Sequence, residues 1–242
     1  MPGPVNLNHL ARVDGWWHRL GVALCRSRCL ACGEAAASGV DLCAPCRDGL
    51  PWNTPACPRC ALPLAAPAPR CADCRARPPL LHGAYAALRY AAPVDRLLPR
   101  FKFHRDLAAG RLLAEAMAGR CAALPRPDAL LPVPLHRGRL RQRGYDQALE
   151  LARPLARALD LPLLTGGLRR VRATRPQSQL DAAGRARNLR DAFAVDASRP
   201  LPAHVVLVDD VMTTGATLHA AARALRRAGV GRVEAWVCAR VA

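Results

Sequence analysis

Two adjacent carboxylates, Asp209 and Asp210, stand between an unbroken aliphatic run and a short segment rich in threonine and glycine; residues 205–218 read VVLVDDVMTTGATL. Carboxylate oxygens accept hydrogen bonds from paired hydroxyls, as on a ribose, and are hard donors suited to Mg²⁺. The residues that follow, Val211, Met212, Thr213, Thr214, Gly215, Ala216 and Thr217, form a turn ahead of an alanine-rich helical pattern. Free backbone N–H groups at such a turn, with the helix dipole behind them, favour an anion. The threonine hydroxyls add donors without adding charge. Acids touching a phosphate would repel it, so Asp209 and Asp210 are expected one step away, on the sugar. The segment reads as a site for a sugar phosphate carrying pyrophosphate, with the two acids as the catalytic pair. The alternative is an ordinary acid-capped connection, which leaves two neighbouring acids on a buried strand at a cost.

A second chemistry lies nearer the N-terminus. Eight of the eleven cysteines form four C-x-x-C pairs, Cys29/Cys32, Cys43/Cys46, Cys57/Cys60 and Cys71/Cys74, each beginning fourteen residues after the last. One pair makes a knuckle of two thiolates, and two knuckles complete a tetrahedral Cys₄ site for Zn²⁺. Two structural zinc sites are expected, with metal binding supplying folding energy to a segment poor in apolar residues. Spacing alone leaves two pairings open: sequential, 29/32 with 43/46 and 57/60 with 71/74, or interleaved, 29/32 with 57/60. Cys25 is a spare ligand candidate, and Cys121 and Cys238 fall in apolar patterns expected to be buried. No βαβ pattern surrounds the pairs, which argues against a redox relay.

The third signal is arginine. Thirty-six basic residues face eighteen acids, a formal charge of +18, and Lys102 is the sole lysine. A chain this basic tends to meet polyanions. Two dense segments stand out, 136–144 (HRGRLRQRG) and 169–190, both expected as loops. From them Arg137, Arg139, Arg141, Arg143, Arg172, Arg185 and Arg187 are the candidates to hold pyrophosphate or nucleic acid. The threonine-rich turn has no lysine and so is not a Walker A loop, and its acids precede the glycine, unlike a dinucleotide fingerprint. No run of eighteen apolar residues and no leader-peptide layout occurs, so no membrane span and a cytoplasmic location are expected.

The elements that must position these groups alternate. Strands are expected at 83–90, 128–133, 192–195, 205–208 and 232–237. Helices are expected around Val94, Leu97, Leu98 and Phe101, at 105–124, at 144–159 with a break at Pro154, and at 216–228. The class is α/β with a mostly parallel sheet. Ligands of such sheets bind beyond the carboxyl ends of the strands, which would set 136–144 beside the threonine-rich turn. The organisation reads as a helical extension (1–24), with Leu10, Val13, Trp17, Leu20 and Leu24 on one face, a cysteine module (25–78) and the α/β domain (79–242).

The 205–218 segment resembles the phosphoribosyl diphosphate (PRPP) motif of type I phosphoribosyltransferases. Together with PVPLHRGRLRQRGYDQALELA, RRVRATRPQSQLDAAGRARNLRDAF and the paired C-x-x-C units, it is similar to the ComF family over residues 27–240. The resemblance implies a type I phosphoribosyltransferase fold with an N-terminal double zinc ribbon, PRPP and Mg²⁺ as ligands, and a role in DNA uptake during natural competence. It also implies partners such as single-stranded DNA and a DNA translocase of the competence machinery. Asp209 and Asp210 would hold the ribose, residues 213–217 the 5′-phosphate, and 169–190 would form a long mobile loop. The chain departs from the pattern at Asp146, where many members carry Asn, and at Ala183-Gly184. Thr213 stands where purine-salvage relatives often carry an acid that serves the base. A non-catalytic single-stranded nucleic-acid-binding protein reusing the fold is the competing reading.

Overall fold

The structure, a computed structural model, describes residues 28–36, 41–172, 192–196 and 198–242. The chain forms two compact units, residues 1–49 and 50–242. The expected N-terminal helix and Cys25, Arg185 and Arg187 lie outside the described residues.

Among the described residues, the first unit contains the cysteine pairs 29/32 and 43/46 and the short helix α1 (Ala44–Asp48). The second unit opens with the pairs 57/60 and 71/74 and the matching short helix α2 (Ala72–Ala76). Its centre is a four-stranded sheet of β1 (Gly83–Arg89), β2 (Ala129–Pro132), β5 (His204–Met212) and β6 (Arg232–Arg240), parallel throughout and ordered β1-β6-β5-β2. Val205, Val206, Leu207 and Val208 are each fully buried. Successive strand residues face opposite sides, so such a run requires cover on both faces. Helices α4 (Leu107–Cys121), α6 (Gln147–Leu159) and α7 (Ala216–Arg227) pack against the sheet and supply that cover. In α7, Leu218, Ala221, Ala222 and Leu225 form the buried stripe. Helix α3 (Val94–Phe103) packs on α4 through Val94, Leu97, Leu98 and Phe101, all buried. Cys121 and Cys238 are buried in this core.

Several elements differ from the sequence reading. β5 does not stop at Val208. It pairs with β6 as far as Met212, so Asp209 and Asp210 lie within the strand. β2 ends at Pro132, followed by Val133 and Pro134; proline has no N–H to extend the ladder. β5 therefore outruns β2, and its last residues border an open space. The arginine segment expected as a loop at 136–144 is a helix, α5 (Arg137–Arg143), which the lack of an apolar period concealed. It is held by its ends: His136 Nδ1 accepts from Gly138 N at 3.2 Å, and Gly144 takes a left-handed conformation at the C-cap. Helix α6 runs through Pro154 without breaking, with Leu151, Ala152, Leu155 and Ala156 buried around it. The start of the second arginine segment is also ordered: β3 (Leu168–Arg170) pairs antiparallel with β4 (Phe193–Val195).

Candidate phosphate site and cysteine clusters

The cysteines associate sequentially. Cys29, Cys32, Cys43 and Cys46 form one cluster and Cys57, Cys60, Cys71 and Cys74 the other, with sulfurs within 4.8 Å of one another in each. Across the pairs, the Cys32 and Cys43 sulfurs lie 3.7 Å apart and those of Cys60 and Cys71 3.6 Å. A tetrahedron with Zn–S bonds of about 2.3 Å has edges of about 3.8 Å, so both clusters fit zinc. The local backbone repeats as well. Gly33 N donates to Cys29 O at 2.9 Å and Ala61 N to Cys57 O at 2.8 Å. Cys29 N donates to Glu34 O, and Cys57 N to Leu62 O, each at 2.8 Å. Cys43 and Cys71 each cap a short helix. The fourteen-residue spacing thus alternates two half-motifs, a knuckle and a helix start, and the structural unit repeats from Cys29 to Cys57.

A cavity of about 970 Å³ opens where β5 outruns β2. Asp209, Asp210, Val211, Thr213 and Thr217 line it together with Arg139, Arg143 and Arg170 and with Tyr90, Leu98, Pro99, Lys102 and Phe103. Arg139 and Arg143 are one helical turn apart on α5 and so share a face. Arg137 and Arg141 are exposed and do not line the cavity, and Arg172 is likewise exposed away from it. Met212, Thr214, Gly215 and Ala216 shape the turn rather than line the space. Gly215 has φ +73° and caps α7, Thr214 Oγ1 accepts from Ala216 N at 3.4 Å, and Met212 is buried beneath them.

The acid pair is asymmetric. Lys102 Nζ lies 2.7 Å from Asp210 Oδ2. Asp209 Oδ1 accepts from the Asp210 amide at 2.8 Å. Burial in the strand, with the neighbouring Asp210 charge, pushes the Asp209 carboxyl up to about 7. The arginines are strained electrostatically. Burial pulls the Arg143 and Arg170 guanidiniums below their ordinary value, Arg139 depresses both further, and the acids opposite offset part of this. Clustered cations facing a cavity create a demand for an anion. The set of carboxylate and hydroxyl oxygens beside them is hard, as Mg²⁺ requires.

Asp146 ties the segment between β2 and α5 to the first turn of α6. Its Oδ2 accepts from Leu135 N at 3.0 Å and its Oδ1 from Leu149 N at 3.2 Å, capping α6. Burial raises its pKa despite those bonds. An Asn here would offer one acceptor oxygen to two donors. Arg240, at the end of β6, reaches the other way. Its Nε donates to Cys60 O at 3.1 Å and its Nη1 to Met212 O at 3.2 Å and to Val241 O. One guanidinium therefore joins the second cysteine cluster to the root of the threonine-rich turn.

Lys102, Arg170, Tyr90 and Phe103 were not singled out as cavity residues by the sequence. The signal for Lys102 was composition: it is the only lysine among thirty-six basic residues. Arg170 lay within a segment read as loop, and the aromatics gave no periodic signal.

Comparison with known proteins agrees with the fold and the clusters. A double zinc ribbon domain matches residues 22–75, and a phosphoribosyl transferase domain matches residues 146–242. "Competence protein F" of Haemophilus influenzae is 35% identical over 222 residues, covering 88% of this chain and 96% of that protein. "DNA utilization protein YhgH" of Salmonella typhi is 36% identical over 214 residues, covering 85% and 92%. Among solved structures, a glutamine phosphoribosylpyrophosphate amidotransferase from B. subtilis aligns with a TM-score of 0.38 at 22% identity, over 55% of this chain and 26% of that one. No described helix is long and apolar enough to cross a membrane. With its double zinc ribbon, its phosphoribosyltransferase domain and these full-length relatives, the chain belongs to the ComF/YhgH family.

Proposed function

We propose that the protein binds PRPP, or a related ribose phosphate, with Mg²⁺, and acts in DNA uptake during natural transformation. The observation that carries this reading is the convergence on one cavity of the strand-borne acids, the threonine-rich turn and the arginine face of α5. Asp209 and Asp210 would receive the ribose hydroxyls and the accompanying Mg²⁺. Residues 213–217 would receive the 5′-phosphate, and Arg139, Arg143 and Arg170 the pyrophosphate. If transfer occurs, charge develops on the ribose ring and on the leaving pyrophosphate, where carboxylates and guanidiniums respectively stabilise it. Thr213 has no acidity or basicity suited to serving an acceptor base, so the acceptor differs from that of purine salvage. The biological role follows the names of the relatives, a competence protein and a DNA utilization protein.

A second reading is favoured by the exposed arginines. Arg137 and Arg141 sit on the outer side of α5, one turn apart, where they suit a sugar–phosphate backbone rather than a buried ligand. Calorimetric titration separates the two. Mg²⁺-dependent PRPP binding lost in Asp209→Ala and Asp210→Ala is the expected result. PRPP heats no larger than buffer controls, with single-stranded DNA binding that survives both substitutions, would replace the first reading with the second.

A further inference from the structure

We infer that Lys102 is the internal counter-ion of the acid pair and that it changes partner on ligand entry: it holds Asp210 in the ligand-free protein and turns to the diphosphate oxygens when a Mg²⁺-bound ribose diphosphate arrives. This rests on the reading of the cavity as a ribose-diphosphate site.

Composition is the first argument. Lysine and arginine are interchangeable on most solvated surfaces, and this chain has taken arginine everywhere but position 102. If any cation served there, arginine would be expected. The one retained lysine lies inside the cavity, near the end of α3, with a side chain 26% exposed and its Nζ 2.7 Å from a carboxylate 9% exposed. The chemistry at that point must therefore favour an ammonium.

The difference between the two cations is physical. A guanidinium is a planar fork that grips a carboxylate bidentately and releases it reluctantly. An ammonium is a compact charge with three donors on a flexible four-carbon stem. It can pair with one oxygen of Asp210 and still be drawn to a second anion. The need to move follows from charge. A divalent cation at the acid pair and the Lys102 ammonium would compete for the same carboxylate oxygens and repel each other within a few ångström. Arg143 and Arg170 also feel the charge of Asp210 and Asp209 respectively, but the contact that a metal would have to displace is the 2.7 Å pair of Lys102 with Asp210. Were Asp210 to hold a Mg²⁺, the Lys102 ammonium would find the ligand's own negative charge in the same cavity. Lys102 is thus a positioning residue that holds the Asp210 carboxylate in place until the ligand brings its metal.

The test uses the full-length, zinc-loaded protein with Lys102→Met and Lys102→Arg. Mn²⁺ alone is titrated by electron paramagnetic resonance, and Mg²⁺-pyrophosphate and Mg²⁺-PRPP by calorimetry. Circular dichroism melts establish folding, and the charge-preserving Lys102→Arg supplies the result should Lys102→Met unfold. With the counter-ion gone, Lys102→Met should bind Mn²⁺ alone about tenfold more tightly than the parent and Mg²⁺-pyrophosphate about tenfold more weakly, the scale of one charged hydrogen bond. Lys102→Arg, gripping Asp210 more firmly, should bind Mn²⁺ no better than the parent and still lose diphosphate affinity. A folded Lys102→Met that matches the parent within twofold for Mn²⁺ or for pyrophosphate overturns the inference, as does a Lys102→Arg with parental diphosphate affinity. A parent protein that binds neither pyrophosphate nor PRPP instead overturns the ribose-diphosphate reading, and partner exchange falls with it.

Discussion

Substituting Gly215 by Ala tests the turn that carries the proposed phosphate site. Gly215 holds φ +73°, a left-handed conformation that costs an L-residue about 1–2 kcal/mol. An added Cβ would also lie 2.6 Å from Met212 Cε, closer than carbon atoms approach. The Met212 methyl is the far end of a flexible side chain, but Met212 is only 2% exposed, so it must yield within packed surroundings. Moving such a side chain off its rotamer costs about 0.5–1.5 kcal/mol. The sum is about 1.5–3.5 kcal/mol, or roughly 3–14 °C in Tm for a chain of this size. Gly229 supplies the control: its φ is +92° and an added Cβ meets nothing within 4 Å. Gly229→Ala should therefore show the backbone share alone, about 1–2 kcal/mol. Urea titrations of both variants measure the two shares separately. If Gly215→Ala is no more destabilising than Gly229→Ala, the Met212 contact does not hold the turn. If neither moves the midpoint, the left-handed conformations themselves are wrong.

The acid pair should also leave a signature in pH. The folded protein retains the Asp209 proton up to about 7, while an ordinary aspartate releases it near 3.8. The unfolded chain therefore binds fewer protons in that interval, and this carboxyl lowers stability progressively as pH rises from about 4 to about 7. The stability of the parent minus that of Asp209→Asn, from urea melts across the same interval, should fall with rising pH; a flat or rising difference contradicts the assignment. The zinc sites should respond unequally. Cys43→Ser/Cys46→Ser and Cys57→Ser/Cys60→Ser should each remove one Zn²⁺ per chain by metal analysis, but only the second pair should speed amide exchange at residues 213–217, because Arg240 hangs the turn on the Cys60 carbonyl. Equal protection of that turn in both variants would show that Arg240 transmits nothing.

Much of this was legible in the sequence where local pattern and tertiary demand agree. Four consecutive aliphatic residues could only be satisfied by a strand covered on both faces, and Val205–Val208 are such a strand. Cysteine spacing named the ligands, and the close approach of the chain chose the sequential pairing that spacing left open. The pattern failed where an element is held by its ends or by its neighbours. Helix α5 has no apolar stripe, and only its capping residues speak for it. Pro154 carries a helix-breaking propensity that the buried flank of α6 overrides. The aliphatic run marks a strand only as far as Val208; the ladder continues through the two acids to Met212, and what offsets the cost of burying Asp210 is Lys102, more than a hundred residues away in sequence.

The repeated cysteine motif has an architectural consequence. The knuckle-and-helix device occurs twice with the same bonding, as an internal duplication would leave it, yet the copies have different obligations. The first copy lies in the compact unit 1–49, the second in the unit that holds the sheet, where Arg240 bolts it to the end of β5. The first keeps its four ligands within its own unit. The second has become part of the foundation of the domain, and a change in its metal is a change in the ground on which the phosphate turn stands.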